Sequence, residues 1–387
     1  MKLPSQRHLF EIPEDVAYLN CGYMSPLMSR VREAVIHGLD RKRRPWEIKP
    51  RDFYDGTDRL RAAFAELIHA KPDDVAVVAA ASYGVSVAAA NLPLARGQGV
   101  LVAEDQFPSN VHPWRERARE TGAEIVTVRR PGDADWTRAV LAAIEDERNR
   151  VAVVALPHCH WTDGGLFDLV AIGDACRQRG IFLSLDVTQS VGAFPLDVRR
   201  IQPDFLTAAT YKWLLGPYSL GLLYVCERWQ AEGRPLEHNW ISRRGSEDFA
   251  RLVDYQDEFA HGARRFDVGE RSNFALVPGA EAGIRQLLEW GVANVSETLA
   301  ERTDEIARRA RALGLDSPPA EKRAPHYIGL KLPGSLPPNL LEVLARRKVY
   351  VSIRGTSIRV TPHLYNEARD LETLFDALRE VVPARRP

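Results

Sequence analysis

The chain has 387 residues, 45% of them hydrophobic and 27% charged, and its 52 Lys and Arg residues balance its 52 Asp and Glu residues. Since a typical domain takes about 150 residues, this length predicts one large domain and at least one smaller one. The zero formal charge argues against a nucleic-acid binder or a membrane-surface binder, and no apolar run reaches the about 20 residues that span a bilayer. The four cysteines are far apart and form no CxxC pair. We therefore expect no disulfide framework, no zinc site and a cytoplasmic protein.

Apolar segments of strand length alternate with segments of helical period over the first part of the chain. Helical periodicity is found in 111–120, 136–148 and 168–179. The strand candidates are 75–80, 100–103, 125–128, 151–156, 181–187, 205–208 and 220–225. Uninterrupted apolar strands separated by helices predict an α/β fold with a seven-stranded, mostly parallel sheet covered by helices. Such sheets bind ligands outside the carboxyl ends of their strands.

The tail has a different organisation, in which helices and short strands follow no regular alternation. Predicted helices over 280–289, 295–313 and 340–347 are mixed with predicted strands over 326–332, 350–353 and 357–360. This α+β pattern predicts a second, smaller domain that starts near Arg264, with a loop over 313–325. We expect an N-terminal arm (1–24), a large domain (25–263) and a small domain (264–387). The basic run 40–52 is interpreted as a solvated helix end and loop rather than an anion site.

Residues that suit a phosphate and a flat ring follow the first two predicted strands. Ala81, Ser82, Tyr83 and Gly84 lead straight into a helix, where free backbone N–H groups would form a phosphate cradle. The alternative is that Ser82 is only an N-cap. Phe107 follows the second strand and either stacks on a flat cofactor ring or belongs to the core.

Polar groups also follow three later strands. His158, Cys159 and His160 follow the fourth, but the neighbouring strands supply no further Cys or His, so we do not expect a metal. Asp186 ends the fifth strand, and Lys212 follows the sixth. Taken singly, the acid is explained as a helix cap and the amine as a snorkelling side chain.

Taken together, these groups match the requirements of pyridoxal 5′-phosphate. The lysine amine forms a Schiff base with the cofactor, and the carboxylate keeps the pyridine nitrogen protonated so that the ring withdraws electrons from the substrate's Cα. A phosphate cradle and an aromatic plate complete the set. The sequence therefore predicts Lys212 and Asp186 as catalytic residues of a cofactor-dependent enzyme acting on an amino acid.

The stretches 183–195 (LSLDVTQSVGAFP) and 204–225 (DFLTAATYKWLLGPYSLGLLYV) resemble the core of the class V aminotransferase family. This family includes cysteine desulfurases, isopenicillin N epimerase, kynureninase and C–S lyases. The resemblance runs from Tyr18 to Asn366 and implies an aspartate aminotransferase-like fold of type I. It also implies a homodimer with a shared active site.

The resemblance further implies roles for individual residues. Lys212 would hold the cofactor and later carry the Cα proton, and Asp186 would pair with the pyridinium nitrogen. Arg359, within 358–362 (IRVTP), would hold the substrate α-carboxylate, with Arg354 as a second anion contact or a solvated surface arginine. The other implied cofactor contacts are Gln189, Phe107, Ser82, Tyr83, Tyr211, Trp161 and, from across the dimer, Ser272 and Asn273.

The chain also departs from its relatives. It has no cysteine after Cys226, which argues against persulfide-forming desulfuration. Trp161 stands where many relatives have Asn, and Thr162 or His160 is a possible replacement for that Asn's hydrogen bond. Gln189 stands where kynureninases usually have His, which places kynureninase-like hydrolysis second.

Several reactions stay open at this level. Transamination ranks first, and the alternatives are β-elimination by a C–S lyase and epimerisation, with His160 or Cys21 as the second acid/base. A nicotinamide dehydrogenase would need a G-x-G-x-x-G turn, which residues 80–84 lack. A cofactor-binding regulator is compatible with the sequence, but it would usually have lost Lys212 or Arg359.

Overall fold

The computed structural model describes residues 1–382, which alternate strands and helices before a mixed tail. The first part contains β1 (Ala17–Tyr18), α1 (Ser29–Asp40), α2 (Asp52–Ile68), β2 (Val75–Val78), α3 (Ala81–Asn91), β3 (Gly99–Ala103), α4 (His112–Thr121), β4 (Glu124–Val128), α5 (Trp136–Glu145), β5 (Val151–Pro157), α6 (Leu169–Arg179), β6 (Phe182–Asp186), α7 (Val198–Ile201), β7 (Phe205–Ala209), β8 (Gly221–Val225) and α8 (Glu227–Glu232). The tail contains α9 (Leu276–Trp290), α10 (Val292–Ala312), β9 (Ile328–Lys331), α11 (Leu340–Arg346), β10 (Val349–Tyr350), β11 (Ser352–Arg354), β12 (Ser357–Val360) and α12 (Ala368–Val381).

Seven strands form the large sheet in the order β2-β8-β7-β6-β5-β3-β4. Every pair is parallel except those made by β8, which runs antiparallel to β2 and β7. All residues of β2, β3 and β7 are buried, whereas the edge strand β4 exposes Glu124 and Thr127. Strands covered on both faces are apolar at most positions, which is why their sequences do not alternate. The predicted fold class is confirmed.

A second hydrophobic core lies against a three-stranded antiparallel sheet of order β11-β12-β9. Ala17 and Leu19 of the N-terminal arm belong to this second core, and β1 pairs in parallel with β10. The predicted strand 350–353 is therefore two strands, because β10 pairs with the arm whereas β11 pairs with β12.

Helix α9 packs on α1 and α2, and its Ala280, Ile284 and Leu287 belong to the larger core. The domain limits given above stay a prediction, and residues 383–387 of the predicted small domain lie outside the described residues.

Local signals define several element boundaries. The Asp168 side chain accepts hydrogen bonds from the amides of Val170 and Ala171, and α6 ends at Gly180 with φ = 65°. Between α1 and α2 the chain forms exposed turns, as predicted for the basic run. The sequence patterns described above do not predict β1, α1, α2, α7, α8 or α12. None of the helices within residues 1–382 is both long and apolar enough to cross a bilayer.

Candidate active site

A cavity of about 240 Å³ opens at the carboxyl ends of the central parallel strands. Strand β6 ends at Asp186, β7 ends three residues before Lys212, and β5 ends at Pro157, so the parallel register delivers these groups to one edge. Predicted site residues that line the cavity are Ser82, Phe107, Trp161, Asp186, Gln189, Tyr211 and Lys212. Lys212 and Asp186 thus border the same cavity.

The Lys212 amine is buried beside two aromatic rings. Its Nζ lies 5.4 Å from the ring centroids of both Phe107 and Tyr211. Burial lowers the pKa of Lys212 to about 8, with Asp186 opposing this shift and Arg359 and Arg354 adding to it. An amine with this pKa is partly neutral near pH 8, and only a neutral amine attacks a carbonyl carbon.

The Asp186 carboxylate is also buried, and Lys212 is the charged group that acts on it. Its Oδ1 accepts a 3.0 Å hydrogen bond from the Thr188 amide. Burial raises the pKa of Asp186, whereas the hydrogen bonds from Thr188 and the charge of Lys212 act in the opposite direction. A buried carboxylate that faces a cavity is suited to a cationic group of a ligand, and a protonated pyridine nitrogen is such a group.

Phe107 and Trp161 form an aromatic wall of the cavity. Their ring centroids are 5.3 Å apart with planes at 79°, and the Trp161 indole N–H donates to the Asp105 carbonyl at 2.6 Å. Phe107 is 37% exposed and is therefore no core residue, which favours the stacking interpretation.

His160 and Thr162, the possible replacements for the Asn of relatives, do not line the cavity. The His160 ring stacks on Trp136, and its Nε2 donates to the Glu104 carbonyl at 2.8 Å. Its Nδ1 lies 2.8 Å from the Thr162 hydroxyl oxygen. His158 contacts the Ser190 hydroxyl, and the Cys159 thiol, which does line the cavity, donates to the Gln189 carbonyl. The side chains of this histidine–cysteine run therefore do not converge on one point.

The start of helix α3 forms another part of the cavity wall. Its N-cap is Ala80, and no side chain caps the helix. The hypothesis that Ser82 serves only as an N-cap is therefore wrong, because Ser82 is the second helical residue and lines the cavity. Tyr83 instead packs against the core behind the helix. An uncapped N-terminus at the cavity offers N–H groups to an anion such as a phosphate.

Gln189 is held at both ends of its side-chain amide. Its Nε2 donates to the Gly22 carbonyl at 3.1 Å, and its Oε1 accepts from the Trp213 indole at 3.1 Å. The N-terminal arm thus reaches the cavity, since Gly22 belongs to it.

The two arginines are not among the residues that line the cavity, but both contact Trp161 of its wall. Arg359 Nη1 donates to the Trp161 carbonyl at 3.4 Å, and Arg354 lies 5.4 Å from the Trp161 ring centroid.

Ser272 and Asn273 do not line this cavity within one chain. The Ser272 hydroxyl donates to the Phe53 carbonyl at 2.5 Å, and the Asn273 side chain accepts from the amides of Ala275 and Leu276 before α9. Their predicted role toward a partner's phosphate site stays a prediction.

Several cavity residues are not predicted from the sequence, and Asn110 and Thr188 are the most informative of them. Asn110 is 1% exposed, and neither its amide nitrogen nor its amide oxygen has a hydrogen-bond partner. Thr188 orients Asp186 through its backbone amide and accepts from the Ala209 amide through its hydroxyl. The sequence contains a signal for Thr188, because it follows Asp186 by two positions. Asn110 has no such signal in the sequence and is recognised only in the structure, by its side-chain amide that lacks hydrogen-bond partners. Such an amide fits a cavity that receives a polar cofactor.

Comparison with known sequences agrees with this geometry. The sequence model of the family "Aminotransferase class-V" matches residues 49–370. The chain therefore belongs to the class V aminotransferase family and is a pyridoxal-phosphate-dependent enzyme.

The chain is similar to an uncharacterized aminotransferase, YcbU, of Bacillus subtilis (strain 168), at 26% identity over 333 residues, covering 83% of each chain. A mutant of C-DES with glycine covalently linked to its PLP cofactor has a TM-score of 0.86 at 18% identity, covering 97% of this chain and 99% of that one. The complex between the cystine C–S lyase C-DES and its reaction product cysteine persulfide has a TM-score of 0.85 at 18% identity, covering 96% and 99%. These two structures establish the fold likeness.

Proposed function

We propose that this enzyme transfers the amino group of an amino acid, with Lys212 as the cofactor attachment point and the proton carrier at Cα. The observation that carries the proposal is that the Lys212 amine and the Asp186 carboxylate line the same cavity at neighbouring strand ends. Pyridoxal phosphate, when bound, supplies an electron sink for the charge that develops at Cα. Asp186 would hold a proton at the pyridine nitrogen, Phe107 would stack on the ring, and Ser82 with the start of α3 would bind the phosphate.

Chemistry with a single base is supported by the placement of the other candidate bases. His160 does not line the cavity, and burial lowers its pKa to about 4. Cys21 is fully buried, burial raises the pKa of its thiol, and its Sγ lies 3.9 Å from the Lys212 carbonyl oxygen. Epimerisation needs a second acid/base opposite Lys212, and neither residue is suited to that task. Transamination needs only Lys212 to move the proton.

β-Elimination is the second candidate. It also needs only one base, and a protein of the same fold is a cystine C–S lyase. The chain has no cysteine after Cys226 that would accept sulfur, so an elimination would release the leaving group rather than trap it on the protein.

We also propose that the enzyme is a cytoplasmic homodimer and that Ser272 and Asn273 face the partner's phosphate site. An aromatic cluster surrounds this segment, with Phe53 contacting Trp240, Phe249 and Phe274 at centroid distances of 5.2–6.1 Å. The chain segments that precede Phe53 and follow Phe249 expose large apolar side chains, with Trp46 at 78% and Tyr255 at 94%. A second copy of the chain is the occupant we propose for this surface.

The test is a Lys212→Ala variant compared with the wild type and with Lys42→Ala, which changes an exposed lysine. Wild type and Lys42→Ala are expected to show a visible cofactor absorbance band that borohydride abolishes, and Lys212→Ala is expected to lack it. Amine exchange that depends on an added α-keto acid supports transamination, whereas pyruvate release from cysteine conjugates supports β-elimination. A borohydride-sensitive band in Lys212→Ala would contradict the assignment of the attachment point.

A further inference from the structure

The β11–β12 hairpin has one apolar face and one face that carries two arginines. In the antiparallel register Ser352 pairs with Arg359, Ile353 with Ile358 and Arg354 with Ser357. Ile353 and Ile358 pack in the second core. The opposite face therefore presents Arg354 and Arg359 as diagonal neighbours, about 7–8 Å apart at their Cα atoms.

Both arginines meet the cavity wall at Trp161. Arg359 is fixed by the Trp161 carbonyl at 3.4 Å and by the Ser352 hydroxyl at 3.3 Å, and its Nε has no partner. Arg354 is half-buried and lies against the Trp161 ring. The charges of both arginines also reach Lys212, since each contributes to the lowered pKa of its amine.

No acidic side chain within residues 1–382 forms an ion pair with either arginine. Each of the other buried arginines within residues 1–382 forms an ion pair with an aspartate; these are Arg7, Arg61, Arg271 and Arg323. Arg130, near the same cavity wall, pairs with Asp163. Two like charges on neighbouring strands destabilise a hairpin, and burying a guanidinium without an anion costs more.

We propose that the substrate is a dicarboxylic amino acid whose α-carboxylate binds Arg359 and whose side-chain carboxylate binds Arg354. This inference rests on the proposed function and names its substrate class. Arg359 is buried and hydrogen-bonded, which suits the α-carboxylate that all amino acids share. Arg354 is half-buried beside Trp161, which suits a carboxylate of the variable side chain. Two separated guanidinium groups supply one bidentate partner to each of two carboxylates.

The experiment measures how tightly the cofactor-loaded enzyme binds acidic amino acids and their isosteric amides. L-Aspartate is compared with L-asparagine and L-glutamate with L-glutamine, using the change in the cofactor absorbance band to obtain dissociation constants. We expect the wild type to bind the better acid at least about tenfold more tightly than its amide. Arg354→Gln should bring this ratio close to one while retaining the borohydride-sensitive band, and Arg354→Lys should restore part of it.

The control is Arg346→Gln, which removes an exposed arginine of α11 in the same part of the chain. It should keep the wild-type ratio. Equal binding of acids and amides by the wild type, or an unchanged ratio in Arg354→Gln, would overturn the substrate assignment while leaving the proposed function intact. Absence of any cofactor band in the wild type would instead overturn the proposed function and this inference with it.

Discussion

Lys212 shares its surroundings with one acid and two arginines, whose fields act on its amine in opposite directions. Burial is the largest effect and disfavours the ammonium form, Asp186 favours it, and Arg359 and Arg354 disfavour it further. The outcome is a pKa of about 8 for a group that ordinarily titrates at 10.5. The residue is thus prepared to react without a separate base to deprotonate it.

The pH dependence of cofactor uptake follows from this pKa. Because only the neutral amine reacts, the rate at which the cofactor-free protein takes up pyridoxal phosphate should rise about tenfold per pH unit below pH 8 and level off above it. Stopped-flow absorbance over this range measures the rate.

The control removes one of the two positive charges that lower the pKa of Lys212. Arg354→Gln should raise the pKa of Lys212 and move the midpoint to higher pH, whereas Lys42→Ala should not move it. A rate that stays flat across pH 8 would mean that the Lys212 amine does not limit uptake.

Close packing of α3 on β7 places the helix N-terminus at the cavity. Gly84 lies in the first turn of α3, and a Cβ added there would come within 2.4 Å of the Thr207 Oγ1 and 2.8 Å of its Cβ. Both distances are shorter than van der Waals contact, so the helix is able to approach the sheet only because residue 84 is glycine.

Gly84→Ala should therefore push the start of α3 away from the sheet. We expect a loss of about 1–3 kcal/mol in the free energy of unfolding, measured by urea denaturation, and faster loss of cofactor on dialysis. Gly132→Ala is the matched control, because an added Cβ meets no atom within 4 Å there. Its unfolding free energy should stay within about 0.5 kcal/mol of the wild type. Equal cofactor retention by the two variants would show that the position of the α3 N-terminus does not determine how tightly the phosphate is bound.

The strands of the large sheet and the groups at their ends were predictable from the sequence because fully buried parallel strands have uninterrupted apolar segments. Lys212, Asp186 and Phe107 stand out for the same reason, since each is a polar or aromatic residue within four residues of the end of such a segment. Two-residue strands such as β1 and β10 have no periodicity to detect, and only their mutual pairing defines them. The orphaned amide of Asn110 and the shared face of Arg354 and Arg359 depend on register and on long-range packing, which one sequence does not contain.

At the scale of the whole molecule, the exposed aromatic surface around Ser272 and Asn273 bears on assembly. If this surface is the dimer interface, Trp46→Lys should weaken association, because a large aromatic anchor is replaced by a charge. A loss of about 2 kcal/mol corresponds to about a 30-fold higher dimer dissociation constant, measured by sedimentation equilibrium.

Leu341→Lys, which changes an exposed apolar residue of α11, is the control and should leave the constant unchanged. A monomeric wild type would refute the homodimer proposal. A dimer unaffected by Trp46→Lys would place the interface elsewhere.

The N-terminal arm joins three distant parts of the chain. Arg7 pairs with Asp370 of α12, the Cys21 amide donates to the Thr361 carbonyl at 3.0 Å, and the Gly22 carbonyl holds Gln189. Limited proteolysis within this leading stretch would therefore do more than shorten a tail. Such a cut would remove β1 from its pairing with β10 and free the Gln189 side chain at the cavity. A preparation cleaved there during purification would therefore lose cofactor, although most of the chain would remain intact.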